Sequence, residues 1–224
     1  RINAPKSWPI KRKGIKFIVR PSAGAHNMRE CIPLSLVLKE LLKYSRTTKE
    51  TKSILNQGSI LVNGKVKNDH ALPVGFMDII SVPSLKKNYR VLYNLKGKFM
   101  LQEIDEKEVV RLAKIEGKSL LVKGKVQLNL FDGTNVLLEK NDYKVGDTLV
   151  IGMDGKIVKH FKFDIGVNVY IMKGKKVGMQ GKLLEVKPHK GKRGANIIVE
   201  VAGEKVETAK EYAFVVGDVE LKNE

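Results

Sequence analysis

Apolar residues recur along this chain at two spacings, and the switch between them lays out its first third. Leu34, Val37, Leu38, Leu41 and Leu42 follow the i, i+3, i+4, i+7, i+8 order of one buried helical face. Pro33 suits the first turn of that helix, and Lys39 and Lys43 fall off the stripe. Thr47-Thr48-Lys49-Glu50 reads as a capping box, with Thr47 as cap and Glu50 three residues on. The second helix should run to Gln57, with Gly58 as its left-handed stop. The spacing then drops to two. Ile60 and Val62 share a face, Asn63-Gly64 supplies a type I′ hairpin turn that needs φ > 0 at both residues, and Val66 follows. Lys65 and Lys67 are expected on the opposite face. A turn from Pro73 to Asp78 leads into a buried strand from Ile79 to Val82.

Beyond this the pattern is mostly that of strands. Residues 89–165 show one short helix, capped by Asp105-Glu106-Lys107-Glu108 and ending near Leu112, and hairpin turns at Asp132-Gly133 and Asp154-Gly155. Residues 166–217 are short strands, with Gly174, Gly178 and Gly181 placed for sharp bends or close backbone approach. A Gly-bounded basic loop runs from Lys187 to Gly194, and strands at 196–201 and 205–208 follow it. Residues 1–30 have no steady period. Pro5, Pro9 and Pro21 punctuate them, and Trp8 and Phe17 interleave with charge. They read as an extended arm, either solvated by its charges or ordered on meeting a phosphate backbone, and the aromatics favour the second.

Charge turns this layout into a functional reading. The 224 residues carry a net charge of +18 and are 42% hydrophobic, so the chain should fold into two or three domains and meet a polyanion. The charge is +7 over residues 1–30, +7 over 31–104, +1 over 105–165 and +3 over 166–224. Separate contact zones on a scaffold are implied. A membrane surface is the weaker partner, because no apolar run approaches the roughly 20 residues of a spanning helix and no signal-peptide pattern is present. The single cysteine, Cys31, excludes an internal disulfide, suits a reducing compartment, and is read as packed at the start of the first helix. The four histidines are scattered, and no phosphate-binding loop, nucleophile elbow or dinucleotide fingerprint occurs. Asp78, Asp147 and Asp218 each stand near a glycine before an apolar strand, which is turn chemistry rather than a set of general bases. No enzyme activity, cofactor or metal site is expected.

The helix–turn–helix with a small curled sheet resembles the S4-type RNA-binding domain. The resemblance rests on Arg29, the leucine stripe, Lys43-Tyr44-Ser45 and the run from Gln57 to Lys65. One departure is Arg29-Glu30-Cys31, where such domains often carry Arg-Leu-Asp. The flanks narrow the match: Arg20-Pro21-Ser22-Ala23-Gly24-Ala25-His26, Pro73-Val74-Gly75-Phe76-Met77-Asp78, Arg90, Tyr93, Lys96-Gly97-Lys98-Phe99 and Lys162-Phe163-Asp164-Ile165-Gly166. Together these resemble the small-subunit ribosomal protein S4e family of archaea and eukaryotes, from about residue 4 to 217. The chain lacks the long basic C-terminal extension of eukaryotic members, so an archaeal source is expected. The glycines at 174–181 with Leu183, Leu184 and Val186 resemble a KOW motif, the core of a small SH3-like barrel.

The resemblance implies an α+β protein: a basic N-terminal arm (1–30), an S4-type domain (31–88), a central β-rich domain (89–165) and a KOW/SH3-like domain (166–224). Its partners would be small-subunit rRNA and neighbouring ribosomal proteins, in the cytoplasmic ribosome, with no membrane. Arg29, Lys43, Arg46, Lys49, Lys52, Asn63, Lys65 and Lys67 would form the main RNA patch. Arg12, Lys13, Lys16 and Arg20 would anchor the arm, and Lys190, Lys192 and Arg193 a far clamp. Aromatics make up only 6%, so phosphate and shape contacts should outweigh base stacking. The competing readings are an RNA-modifying enzyme, which would need a larger mixed sheet and a nucleophilic aspartate, and a transcription or translation factor. Base-modification and polymerase-binding assays separate them.

Overall fold

The computed structural model describes the whole chain except residues 1, 2, 12, 15, 106–108, 122, 123, 140, 141, 189–193, 218, 220 and 222–224. Strands dominate it and helices are few, so the architecture is mostly β rather than an even mixture of α and β. Contacts divide the chain into two units, Arg1–Arg111 and Leu112–Glu224.

In the first unit, β1 (Cys31–Pro33) pairs antiparallel with β4 (Pro73–Gly75), and Cys31 lies in this strand rather than in a helix. Pro33 then caps α1 (Leu34–Leu36). The helix continues as a single wide π-turn over Val37–Leu41, where Leu42 N–H bonds back to Val37 and Tyr44 N–H to Leu38. The expected stripe is therefore interrupted. Leu34 to Leu38 are buried all round, Ser35 included, while the extra residue in the turn leaves Leu41 and Leu42 half-buried. The second helix, α2 (Thr48–Asn56), opens with the capping box that its sequence predicts. Thr47 Oγ1 accepts from Glu50 N–H at 3.2 Å and the Glu50 carboxylate accepts from Thr47 N–H. Gly58 follows at φ +69°.

The hairpin comes next, β2 (Leu61–Val62) and β3 (Lys65–Val66), with φ of +50° at Asn63 and +77° at Gly64, as a type I′ turn requires. Its facing differs from the expectation. Residues flanking a two-residue loop stand opposite one another and share a face. Val62 therefore faces with Lys65, and Leu61 with Val66. Val66 is 55% exposed, on the edge of the sheet β3-β2-β5-β6-β7. The other strands of that sheet are β5 (Ile79–Val82), β6 (Lys87–Tyr93) and β7 (Phe99–Ile104). Strands β6 and β7, assigned from sequence to a central domain beginning at residue 89, thus pair into the hairpin's own sheet. Arg90 is fully buried in β6 and donates to Val110 O.

The helix expected to end near Leu112 is absent from the described residues there. Residues 111 and 112 open β8 (Arg111–Leu120), and the capping run at 106–108 lies outside the described residues. The second unit has two five-stranded sheets. One is ordered β10-β9-β8-β11-β12, adding β9 (Val126–Leu130), β10 (Asn135–Leu138), β11 (Thr148–Ile151) and β12 (Ile157–Phe161). Its core is Ala113, Ile115, Val126, Leu128, Leu130, Leu149 and Ile151. Both predicted turns, at Asp132-Gly133 and Asp154-Gly155, connect hairpins of this sheet. The other sheet is ordered β16-β15-β14-β13-β17: β13 (Asn168–Ile171), β14 (Gln180–Lys187), β15 (Asn196–Val201), β16 (Glu204–Ala209) and β17 (Ala213–Val215). Val169, Leu183, Ile197, Val199, Ala213 and Val215 pack beneath it. Lys114 of β8 is buried and donates to Glu211 O and Ala213 O, both at 2.7 Å, which ties the two sheets together. Burial pushes its ammonium down to about 8.

At Gly181, β15 leaves no room for a side chain on β14. A Cβ there would collide with the backbone carbonyl of Glu200, which cannot swing aside as a side chain could. Gly181→Ala should therefore cost about 1–3 kcal/mol or more of stability, read by urea unfolding. An unchanged midpoint would show that the strands can part at no cost.

Candidate nucleic-acid interface

The cations of the first unit sit on supports that fix them in place. The connection between the helices carries Lys43, held at φ +57°, and Arg46. Tyr44 OH meets Tyr89 OH at 2.8 Å, which holds this connection against β6. Ser45 Oγ meets Thr51 Oγ1 at 2.8 Å, which holds it against α2. Helix α2 buries Thr51 and Leu55 and turns Lys49 and Lys52 to solvent. Its end adjoins the hairpin: a Cβ at Gly58 would stand 3.6 Å from Val66 Cγ1. Lys65 is exposed and Lys67 half-exposed there, and Arg29 is exposed in the turn before β1. None of these seven side chains forms an ion pair with a described residue, whereas Lys87 spends its charge on Glu103 at 3.0 Å.

Asn63, expected among the RNA contacts, is used otherwise. Its Oδ1 accepts from Ile79 N–H at 2.9 Å and its Nδ2 donates to Asp78 Oδ1 at 2.8 Å. With both ends of the amide engaged inside the protein, it anchors the turn that presents Lys65. Asp78 is the hub. Its Oδ2 also accepts from Gly75 N–H at 2.7 Å and from His26 Nε2 at 2.9 Å, since an ionised carboxylate can only accept. Burial pushes this carboxyl up, but neighbouring His26 and the hydrogen bonds from His26, Gly75 and Asn63 outweigh it and hold the group below the ordinary carboxylate range. Asn63→Ala should lower stability by about 1–3 kcal/mol, because it leaves a buried carboxylate oxygen without its donor. Faster amide hydrogen exchange at Val62 and Ile79 would report it.

The second unit repeats the device. Asp147 accepts from His160 at 2.8 Å, from Lys144 N–H at 3.0 Å and from Phe163 N–H at 2.9 Å. Burial pushes this carboxyl up too, yet the two backbone donors and His160 bring it below its usual range. Sequence reasoning placed both aspartates in turns and missed both histidine partners, which lie 52 residues away for Asp78 and 13 for Asp147. Cys31 is buried and its thiol is pushed up to about 11, mainly by burial, so it is a packed rather than a reactive side chain. Among the described residues no three His, Cys, Asp or Glu side chains gather as a metal would need, and no helix is long and apolar enough to cross a membrane.

The arm differs most from its expectation. It is docked on its own protein rather than waiting for a polyanion. Trp8 is 5% exposed and donates to Cys31 O at 2.7 Å, and Ser7 O accepts from Phe99 N–H at 2.8 Å. Ser22 bonds Ala71 O through its N–H and Asp69 through its hydroxyl, both at 2.8 Å. His26 completes the attachment. Between these ties Lys13, Lys16 and Arg20 are exposed, and Arg12 lies outside the described residues. Of the proposed far clamp, Lys190, Lys192 and Arg193 also lie outside them.

Comparison with known proteins places this geometry. A family model described as ribosomal family S4e matches residues 85–158, and one described as the RS4NT (NUC023) domain matches residues 1–29. The small ribosomal subunit protein eS4 of Methanocaldococcus jannaschii is 40% identical over 98% of this chain and 93% of its own length. That of Archaeoglobus fulgidus is 39% identical over 97% and 92%. The crystal structure of the 30S ribosomal protein S4e from Thermoplasma acidophilum superposes with a TM-score of 0.72 at 28% identity, covering 84% of this chain and 95% of that one.

Proposed function

The chain belongs to the ribosomal S4e family, and from that premise we propose that it is a structural protein of the small ribosomal subunit, binding folded rRNA through phosphate and shape contacts. The near full-length match to archaeal eS4 proteins carries the reading. Its partners are then small-subunit rRNA and neighbouring ribosomal proteins, and its place is the cytoplasmic ribosome. An RNA-modifying enzyme is not favoured, because the relatives are named as ribosomal subunit proteins.

The two helices with the Asn63-Gly64 hairpin serve as an S4-type RNA-binding element, extended by β6 and β7. Exposed cations without described ion pairs, on supports pinned by Asp78 and the tyrosine pair, favour Arg29, Lys43, Arg46, Lys49, Lys52, Lys65 and Lys67 as phosphate contacts. A backbone already held in place loses little entropy on binding. Lys13, Lys16 and Arg20 act from the docked arm, with Arg12 assigned on sequence alone. The sheet around Gly181 serves as the KOW-type, SH3-like element, and the loop with Lys190, Lys192 and Arg193 as its contact. The sheet built from β8 to β12 serves as a near-neutral scaffold.

The test is co-sedimentation of the tagged chain with archaeal small ribosomal subunits across a salt series. Retention in moderate salt, with the chain absent from large subunits, is expected. Partition into the soluble fraction at all salts would overturn the reading.

A further inference from the structure

Phe17 is the most exposed large apolar side chain described, at 80%. It stands on a loop closed at both ends, by Trp8 on Cys31 and by Ser22 on Ala71 and Asp69. A free tail would gain nothing from such a ring, and a loop already tied down loses little freedom when it is covered. Lys16 Nζ lies 5.8 Å from the ring centroid. Phe17 also borders a concavity of about 310 Å³, whose apolar lining includes Ile18, Val19 and Leu36 and whose charged lining includes Lys11, Lys13 and Lys39. Glu40 is the single acidic side chain along it. The volume is at the small end of ligand-binding pockets, which run roughly 300–1,000 Å³. An aromatic face beside an apolar hollow with several lysines matches a base attached to a phosphate. A protein partner would have to be acidic and aromatic-binding at once.

We propose that this concavity is a socket for one unstacked nucleotide of the bound RNA, its base stacked on Phe17 and its phosphates met by Lys11, Lys13 and Lys39. The assignment rests on the RNA reading above and adds a base contact to one built from phosphates. The low aromatic content of the chain does not argue against it, because one exposed ring suffices for one base.

The experiment compares wild type, Phe17→Ala, Phe17→Trp and Lys13→Ala for binding to an archaeal small-subunit rRNA transcript over a salt series. Phe17→Ala should weaken binding about 10- to 100-fold at every salt, the usual range for losing one stacked base. It should leave the slope of log K against log salt unchanged, because a ring releases no counterions. Lys13→Ala should flatten that slope by about one. Phe17→Trp should restore affinity, and its emission should be quenched by a 12-nucleotide oligoadenylate more than by heparin of equal charge, measured against wild type with its buried Trp8. The proposal is overturned if Phe17→Ala binds like wild type, if heparin quenches as well as oligoadenylate, or if Phe17→Ala keeps its rRNA affinity but fails to enter subunits, which would make the ring a protein contact. Failure of wild type itself to bind the transcript overturns the RNA reading, and this proposal with it. An unchanged thermal midpoint for Phe17→Ala keeps a folding defect out of the comparison.

Discussion

Asp78→Ala should cost the chain about 3–5 kcal/mol of stability, because it removes one partner of a buried ion pair and strands the donors around it. Those donors are His26 Nε2, the Gly75 N–H and Asn63 Nδ2, and they come from the arm, the end of β4 and the hairpin. Losing the hub should therefore loosen all three at once. Urea unfolding at neutral pH measures the loss. His26→Ala should cost a similar amount, and the double variant much less than the sum, as groups in one network do not add. Additive losses would mean that the pair is only a neighbourhood and not a clasp.

The same pair sets an acid limit. Asp78 is held below its ordinary range in the folded chain, so the folded state binds its proton more weakly than the unfolded state does. Its contribution is complete above the unfolded value of about 3.9 and is lost as the pH falls from there through the lower folded value. The gap in stability between wild type and Asp78→Ala should accordingly shrink as the pH falls below about 4. A gap that widened as the pH fell from about 4 to about 2 would reverse the assigned sign.

The second large effect is on salt dependence. If about six phosphates are engaged, log K for small-subunit rRNA should fall against log salt with a slope near −5, a loss of about 10³-fold between 50 and 200 mM. Replacing Lys43, Lys49 and Lys52 together by alanine should flatten the slope by about three and leave the midpoint of unfolding nearly unchanged, since all three are exposed and unpaired with described residues. Filter binding across a salt series decides it. A flat response in wild type would remove the electrostatic account of RNA binding, and an unchanged slope in the triple variant would move the contacts elsewhere.

Local chemistry was legible in the sequence. The Thr47–Glu50 box, the stop at Gly58, the Asn63-Gly64 turn and the hairpin turns at Asp132-Gly133 and Asp154-Gly155 all depend on a few adjacent residues. The misreadings share another cause. The stripe over 34–42 obeys helical spacing, but Leu34 to Leu38 are buried on every side and leave no exposed face for periodicity to report, and the segment opens into a π-turn. The charged run at Asp105 suggested a helix, yet Arg111 and Leu112 were claimed by the sheet of the second unit, where long-range pairing outweighs local propensity.

By itself, then, the sequence determined where the chain turns, where it is cationic and which family it resembles, because each of these is written in neighbouring residues or in their sum. The tertiary structure alone decided that the arm is docked through Trp8, that Asn63 bonds Asp78, that His26 and His160 each find an aspartate, and that Phe17 is left bare. Such contacts join residues 13 to 52 positions apart, and what a buried polar group bonds is settled only when the fold brings its partner within reach and withdraws the water that would otherwise serve.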